Sequence, residues 1–125
     1  MERKPIKTYQ DLKVFKLAYS SAMDIFSLTK RFPREELYSL TDQIRRSSRS
    51  VSANIVEGWA KREYENVFKR QLVDAIGSCE ETKLWLNFAR DCGYSSQDES
   101  ELSMRKWDEV GKMLHGLHDN WRTFR

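Results

Sequence analysis

QIRRSSRSVSANIVEG, residues 43–58, is the stretch that decides the fold. Steps of three and four residues bring Gln43, Arg46/Ser47, Ser50, Asn54 and Glu57/Gly58 to one face of a helix. Leu40, Ile44, Val51 and Ile55 keep the same period on the adjoining face. A helix with an apolar face and a polar stripe beside it is built to pack against other helices. Polar groups drawn into such packing need hydrogen-bond partners. The stripe is therefore either a network that specifies how helices meet or a binding site.

The flanking sequence supplies the other helices. Thr8 followed by Asp11 reads as an N-cap with an acidic first turn. Leu12, Phe15, Tyr19, Ala22 and Phe26 then give helix one to about residue 31. Pro33 stops it and opens helix two, with Glu35 and Glu36 in the first turn. Helix two ends near Gly58. Helix three is expected from about Glu63 to Cys92, with apolar positions including Val67, Phe68, Leu72, Ala75, Ile76, Leu84, Trp85 and Phe88. Its start is weakly marked, because Lys61 and Arg62 oppose the dipole of a helix beginning there. Gly93 suits a C′ position, and Ser96-x-x-Glu99 is a capping box for helix four. That helix carries Leu102, Trp107, Val110, Leu114, Leu117 and Trp121. Four such helices joined by short loops predict an all-α, antiparallel up-down-up-down four-helix bundle. Residues 1–7 read as a basic tail and 8–125 as one domain.

Composition agrees. A charged fraction of 33% beside a hydrophobic fraction of 39% suits amphipathic helices with wet outer faces. Five Gly and two Pro leave little turn chemistry for an all-β chain. The net charge of +3 permits contact with nucleic acid without requiring it. No apolar run approaches the roughly 20 residues of a membrane span, and the N-terminus has no signal-peptide core. Cys79 and Cys92 lie on one expected helix, roughly 20 Å apart at its rise per residue, too far to bridge. A soluble cytoplasmic protein with no membrane partner is expected.

Several segments together resemble the "four helix bundle protein" family, encoded in intervening sequences of bacterial 23S ribosomal RNA genes and also called S23 ribosomal proteins. They are Asp11-Leu12-Lys13-Val14-Phe15, Thr29-Lys30-Arg31-Phe32-Pro33, Leu40-Thr41-Asp42-Gln43-Ile44-Arg45-Arg46, Ser50 and Asn54-Ile55-Val56-Glu57-Gly58. Helix three adds Phe68, Leu72, Ala75, Gly77-Ser78 and Glu81. The resemblance runs from Tyr9 to about Tyr94. It implies a bacterial, cytoplasmic four-helix bundle that assembles into homopentamers; separately, no cofactor is expected. The wider superfamily includes the accessory protein of diversity-generating retroelements, a basic pentamer that works with a reverse transcriptase and nucleic acid. The intervening-sequence branch itself has no established activity. Where the family often caps helix three with Ser or Thr, this chain has Lys61-Arg62-Glu63.

Two groups of residues are candidate sites. As a structural network, Arg46 would pair with Glu81 across helices two and three, while Gln43, Ser50, Asn54, Glu57 and Ser78 fill the remaining bonds; the other reading is a ligand pocket. Arg45 and Arg49 lie one turn apart, with Ser52 on the same face and no acidic residue between Gln43 and Val56. Lys61, Arg62, Lys69 and Arg70 extend the basic character into helix three. This strip suits phosphate contacts with RNA or DNA, or an interface with a neighbouring subunit. No zinc spacing or recognisable reader motif accompanies it.

The remaining features favour structure over chemistry. His115 and His118 are three apart, but Lys112 stands where a paired Glu-x-x-His motif needs Glu, so no metal site is expected. Cys79 reads as a small buried hydrophobe, and no catalytic constellation or phosphate loop is visible. The four tryptophans read as core or interface, Trp59 alternatively as an exposed anchor. A second stripe on helix one, Val14, Ala18, Ile25 and Leu28, exceeds one seam and is expected to face another subunit. The expected function is a non-enzymatic, homo-oligomeric scaffold for nucleic-acid backbone, with a protein adaptor as the alternative.

Overall fold

A computed structural model describes residues 5–122 and contains four long helices: α1 (Lys13–Thr29), α2 (Leu40–Ala60), α3 (Glu65–Asp91) and α4 (Gln97–Asn120). The expected tail falls partly on residues 1–4, outside the described residues. Cross-helix contacts fix the directions. Thr29 meets Arg45 while Phe26 meets Arg49, so α1 and α2 run antiparallel. Ser47 meets Thr82, Ser50 meets Ser78 and Asn54 meets Gln71, which does the same for α2 and α3. Asp24 pairs with Lys106 and Arg31 with Glu99, closing α1 on α4. The result is the antiparallel four-helix bundle that the periodicities predict.

The helix ends differ from expectation for local reasons. Thr8 and Asp11 do form a capping box, but around a 3₁₀ turn at Tyr9–Asp11. Leu12 is extended (φ −72°, ψ 125°) and buried, so α1 proper starts at Lys13. Pro33 opens only a 3₁₀ turn, Arg34–Glu36. Glu36 then caps α2 from outside: its Oε1 accepts from Ser39 Oγ at 2.5 Å and from the Leu40 N–H at 3.3 Å. At the other end α2 continues through Gly58 to Ala60. Tyr64, without a side-chain cap, precedes α3. Gly93 has φ +79° and follows α3, and the Ser96/Glu99 capping box opens α4.

The core is one continuous cluster centred on Ile25, Ile44, Ile55, Phe68, Leu86 and Trp107. Each such side chain contributes about 1.5–3 kcal/mol on burial. Val14, Ala18, Ile25 and Leu28 lie inside this core, so the reading that they face another subunit is corrected. Each helix turns 100° per residue, and the centre of the buried arc falls on this stripe. Tyr19, expected on the core side of α1, is 56% exposed. On α3, Phe68, Leu72 and Ala75 are buried, whereas Val67, Leu84 and Phe88 stand about half exposed with Val73. Leu102 of α4 also faces outward. Among the helices described here, none is long and apolar enough to cross a membrane.

Gly58 shows why α2 does not end where a glycine stands. A Cβ there would lie 2.9 Å from Gln71 Cβ and 3.1 Å from Phe68 Cδ1. The position is glycine to let α3 approach. Gly58→Ala should gain about 1 kcal/mol of helix propensity but lose about 1–3 kcal/mol to overpacking. We expect a net loss of stability in urea denaturation with circular dichroism intact; an unchanged or raised midpoint would show that the helices separate freely.

Candidate nucleic-acid interface and polar seam

The polar stripe of α2 divides by depth. At its buried edge Thr82, fully buried, bonds Ser47 Oγ at 2.9 Å. Ser50 and Ser78 share a hydrogen bond at 2.9 Å. Asn54 donates to the Ser50 carbonyl at 2.9 Å and accepts from Gln71 Nε2 at 2.8 Å. Lys61 Nζ, at 3.3 Å from Gln71 Oε1, closes the series. Short side chains on both helices make these contacts, and the close approach at Gly58 continues them.

The charged ends of the expected network do not join it. Arg46 points outward and its nearest carboxylate is Asp42, 3.9 Å away one turn earlier. Glu81 accepts from Trp85 Nε1 at 3.1 Å. Gln43 and Glu57 are exposed. The reason is angular: positions 46 and 57 sit at the outer crest of α2, and a charge there reaches water at no desolvation cost. Thr82 and Gln71 were missed. Their signal was polarity at helical spacing: Gln71, Ser78 and Thr82, seven and four residues apart, share one face of α3.

The basic candidates form two groups, one in the N-terminal half of α2 and one beyond its C-terminal end. Arg45 and Arg49 turn toward α1 and meet Phe26, with guanidinium carbons 4.9 and 5.9 Å from the ring centroid. Lys30 Nζ joins them at 4.7 Å. Thr29 fixes Arg45, accepting from its Nε at 2.8 Å while donating to the Phe26 carbonyl. Among the described residues, Lys30, Arg45 and Arg49 make no ion pair. Each cation gains roughly 0.5–1 kcal/mol from the ring's negative face, which offsets part of their mutual repulsion. Ser52 lies on this side of α2, but its hydroxyl is buried and unpartnered.

At the far end, Arg62 lies over Trp59, 4.2 Å from the ring, and donates to the Trp59 carbonyl. Lys69 pairs with Glu65 at 3.8 Å. Arg70 is exposed. Trp59 is buried against Phe68 and Trp121 rather than exposed. The basic strip read along the sequence is thus two patches, separated by about 18 Å along the axis of α2.

Cys79 is buried, donates to the Trp107 carbonyl at 3.2 Å, and burial pushes its thiol up to about 11. At neutral pH it is a thiol, not a thiolate nucleophile. His118 bonds Asp119 at 2.9 Å, and no group of three metal-binding side chains gathers among the described residues. Glu36 is held below the usual carboxylate range by Ser39 and then Tyr94, whose hydroxyl donates to it at 2.7 Å; Tyr94 is pushed up to about 12.

Comparison with known proteins bears on this geometry. The family model described as 23S rRNA-intervening sequence protein matches residues 10–116. The chain is also similar to a crystal structure, at 1.70 Å resolution, of a protein with unknown function from the S23 ribosomal protein family of Bacteroides thetaiotaomicron VPI-5482. That similarity has 25% sequence identity and a TM-score of 0.78, and covers 86% of this chain and 96% of that one. No curated protein matches the chain.

Two outcomes follow from these groups. In the native protein a thiol reagent should label exposed Cys92 and spare Cys79 until denaturant is added; two native labels would contradict the burial. Glu36 has a folded-state pKa below its unfolded value, so its contribution to stability is present above the unfolded pKa and is lost as pH falls through the folded one. Tyr94→Phe should therefore reduce the acid sensitivity of the unfolding midpoint. Identical pH profiles would remove Tyr94 from the cap.

Proposed function

The chain belongs to the 23S rRNA-intervening sequence protein family, and from that premise we propose that it is a non-enzymatic, cytoplasmic, homo-oligomeric scaffold that holds RNA or DNA backbone on its basic helix faces. The observation that carries this reading is the cluster of Lys30, Arg45 and Arg49 around Phe26. Three cations kept together without a carboxylate create a local positive field on a chain whose net charge is only +3. Arginine suits phosphate because its planar fork offers two parallel donors. Repetition of the cluster around an oligomer multiplies weak contacts into avidity.

The outward face of α3 supports assembly. Val73, Gly77, Leu84 and Phe88 recur at helical spacing on the surface and form an outward face flanked by Glu80 and Glu81 in the turn between Gly77 and Leu84. We assign the subunit contact to this face, and the pentamer implied by the family resemblance is the assembly proposed. The same face favours the second reading, an adaptor that docks a protein partner such as a nucleic-acid enzyme and touches no nucleic acid itself.

Salt separates the two. Backbone binding weakens with salt by a log–log slope of roughly 0.7–0.9 per phosphate contact. Light scattering with a mixed RNA and DNA pool should show an oligomer that gains nucleic-acid mass at low salt and loses it at moderate salt. Arg45→Gln with Arg49→Gln should weaken binding about tenfold or more and lower the slope by roughly 1–2. Salt-independent or absent binding would favour the adaptor. Leu84→Glu with Phe88→Glu should reduce the mass to a monomer's while helicity stays unchanged; an unaltered mass would move the interface elsewhere.

A further inference from the structure

A cavity of about 240 Å³ lies at the turn between α1 and α2. Its polar lining is Thr29, Lys30, Arg34, Thr41 and Arg45, with no carboxylate among them. Phe32, Pro33 and Leu37 supply apolar walls. Thr41 is the informative member. It is only 3% exposed, yet its hydroxyl has no hydrogen-bond partner. A buried hydroxyl left unpaired is costly, and such groups in native proteins call for an explanation. Here the hydroxyl belongs to a residue lining a pocket with three cations.

Of the nearby carboxylates, Glu36 and Asp42 are engaged elsewhere, and exposed Glu35 does not line the cavity. Glu36 accepts from Ser39, the Leu40 N–H and Tyr94. Asp42 lies 3.9 Å from Arg46. Arg45 is oriented through Nε by Thr29, which leaves the far end of its guanidinium uncommitted. Thr41 stands in the first turn of α2, where the helix dipole adds positive potential. Three cations and a helix start, with an unpaired hydroxyl just beneath the cavity wall, match a dianion better than the single charge of a backbone diester. A phosphomonoester carries about −1.5 to −2 at neutral pH and presents three strong acceptor oxygens.

We infer that this cavity binds a phosphomonoester, the terminal phosphate of a nucleic-acid strand. The choice of strand as its source rests on the function proposed above; the phosphate chemistry rests on the cavity itself. The site fixes one end of a strand, and the neighbouring Phe26 cluster takes the backbone that follows, because Lys30 and Arg45 belong to both.

The test compares one oligonucleotide carrying a 5′-phosphate, a 3′-phosphate or hydroxyl ends, by fluorescence anisotropy at fixed salt, with inorganic phosphate as competitor. At least one phosphorylated form should bind about tenfold tighter than the hydroxyl form, as for a charged hydrogen-bonding group. Inorganic phosphate should erase that increment. Thr41→Val should also erase it while folding as well as the parent or better, since it removes an unpaired buried hydroxyl. Arg34→Gln, at an exposed position, should do the same. Equal binding of all three strands, insensitive to inorganic phosphate, would overturn the cavity proposal and leave backbone binding standing. Inorganic phosphate bound in a Thr41-dependent way, with no strand bound, would support the phosphate chemistry but overturn both the strand as its source and the proposed function.

Discussion

The close approach of α2 to α3 is the constraint on which the rest of the bundle depends. At Gly58 the helices leave no room for a methyl group. From there the seam runs through Asn54–Gln71, Ser50–Ser78 and Ser47–Thr82, all short or amide side chains meeting within hydrogen-bond distance. Small polar groups serve here because they can be near one another and still be satisfied. A longer apolar residue at any of these positions would pack the seam only by pushing the helices apart. Hydrogen bonds also have register, so these pairs specify one sliding position of α2 against α3 where an oily seam would tolerate several.

With α2 pinned on that side, the rotation of every other residue on it is determined. Arg45 and Arg46 are neighbours in sequence and differ by 100° around the axis. One is carried over to α1, where Thr29 and Phe26 hold it. The other is left at the crest, near Asp42 alone. The grouping of Lys30, Arg45 and Arg49 thus follows from the seam on the opposite side of the helix.

Much of the fold was legible because periodicity reports burial directly: Ile44, Val51 and Ile55 repeat at helical spacing and are all buried. The capping signal at Ser96 and Glu99 was legible for the same local reason. Pro33 was less informative, since a proline that can open a helix can equally open a 3₁₀ turn, and Glu36 decided the matter by capping α2 from outside. On α1 two apolar stripes competed, and sequence alone does not say which one faces inward. Ranking Phe15, Tyr19 and Phe26 above Val14, Ala18 and Ile25 favoured size over fit, yet the residues closest to the axis of a bundle are often the smaller ones. The basic candidates were legible as a composition but not as a surface. Chain order ran Arg49 into Lys61, while the helix between them carried the two groups apart. The cavity at the α1–α2 turn had no sequence signal, because its lining comes from three short segments brought together by the turn.

Trp59, Phe68 and Trp121 join the end of α2, the start of α3 and the end of α4 in one edge-to-face cluster, with the two indoles 5.8 Å apart. Indoles at that separation couple their electronic transitions, and the coupling depends steeply on distance and angle. This cluster lies about 27 Å along α2 from Thr41, measured by the helical rise. The bundle therefore carries a built-in optical gauge at one end, remote from its cation-lined turn. A ligand that perturbs the near-ultraviolet dichroism of that indole pair has been felt along the length of a helix, whereas one that leaves it silent has been received by a rigid body.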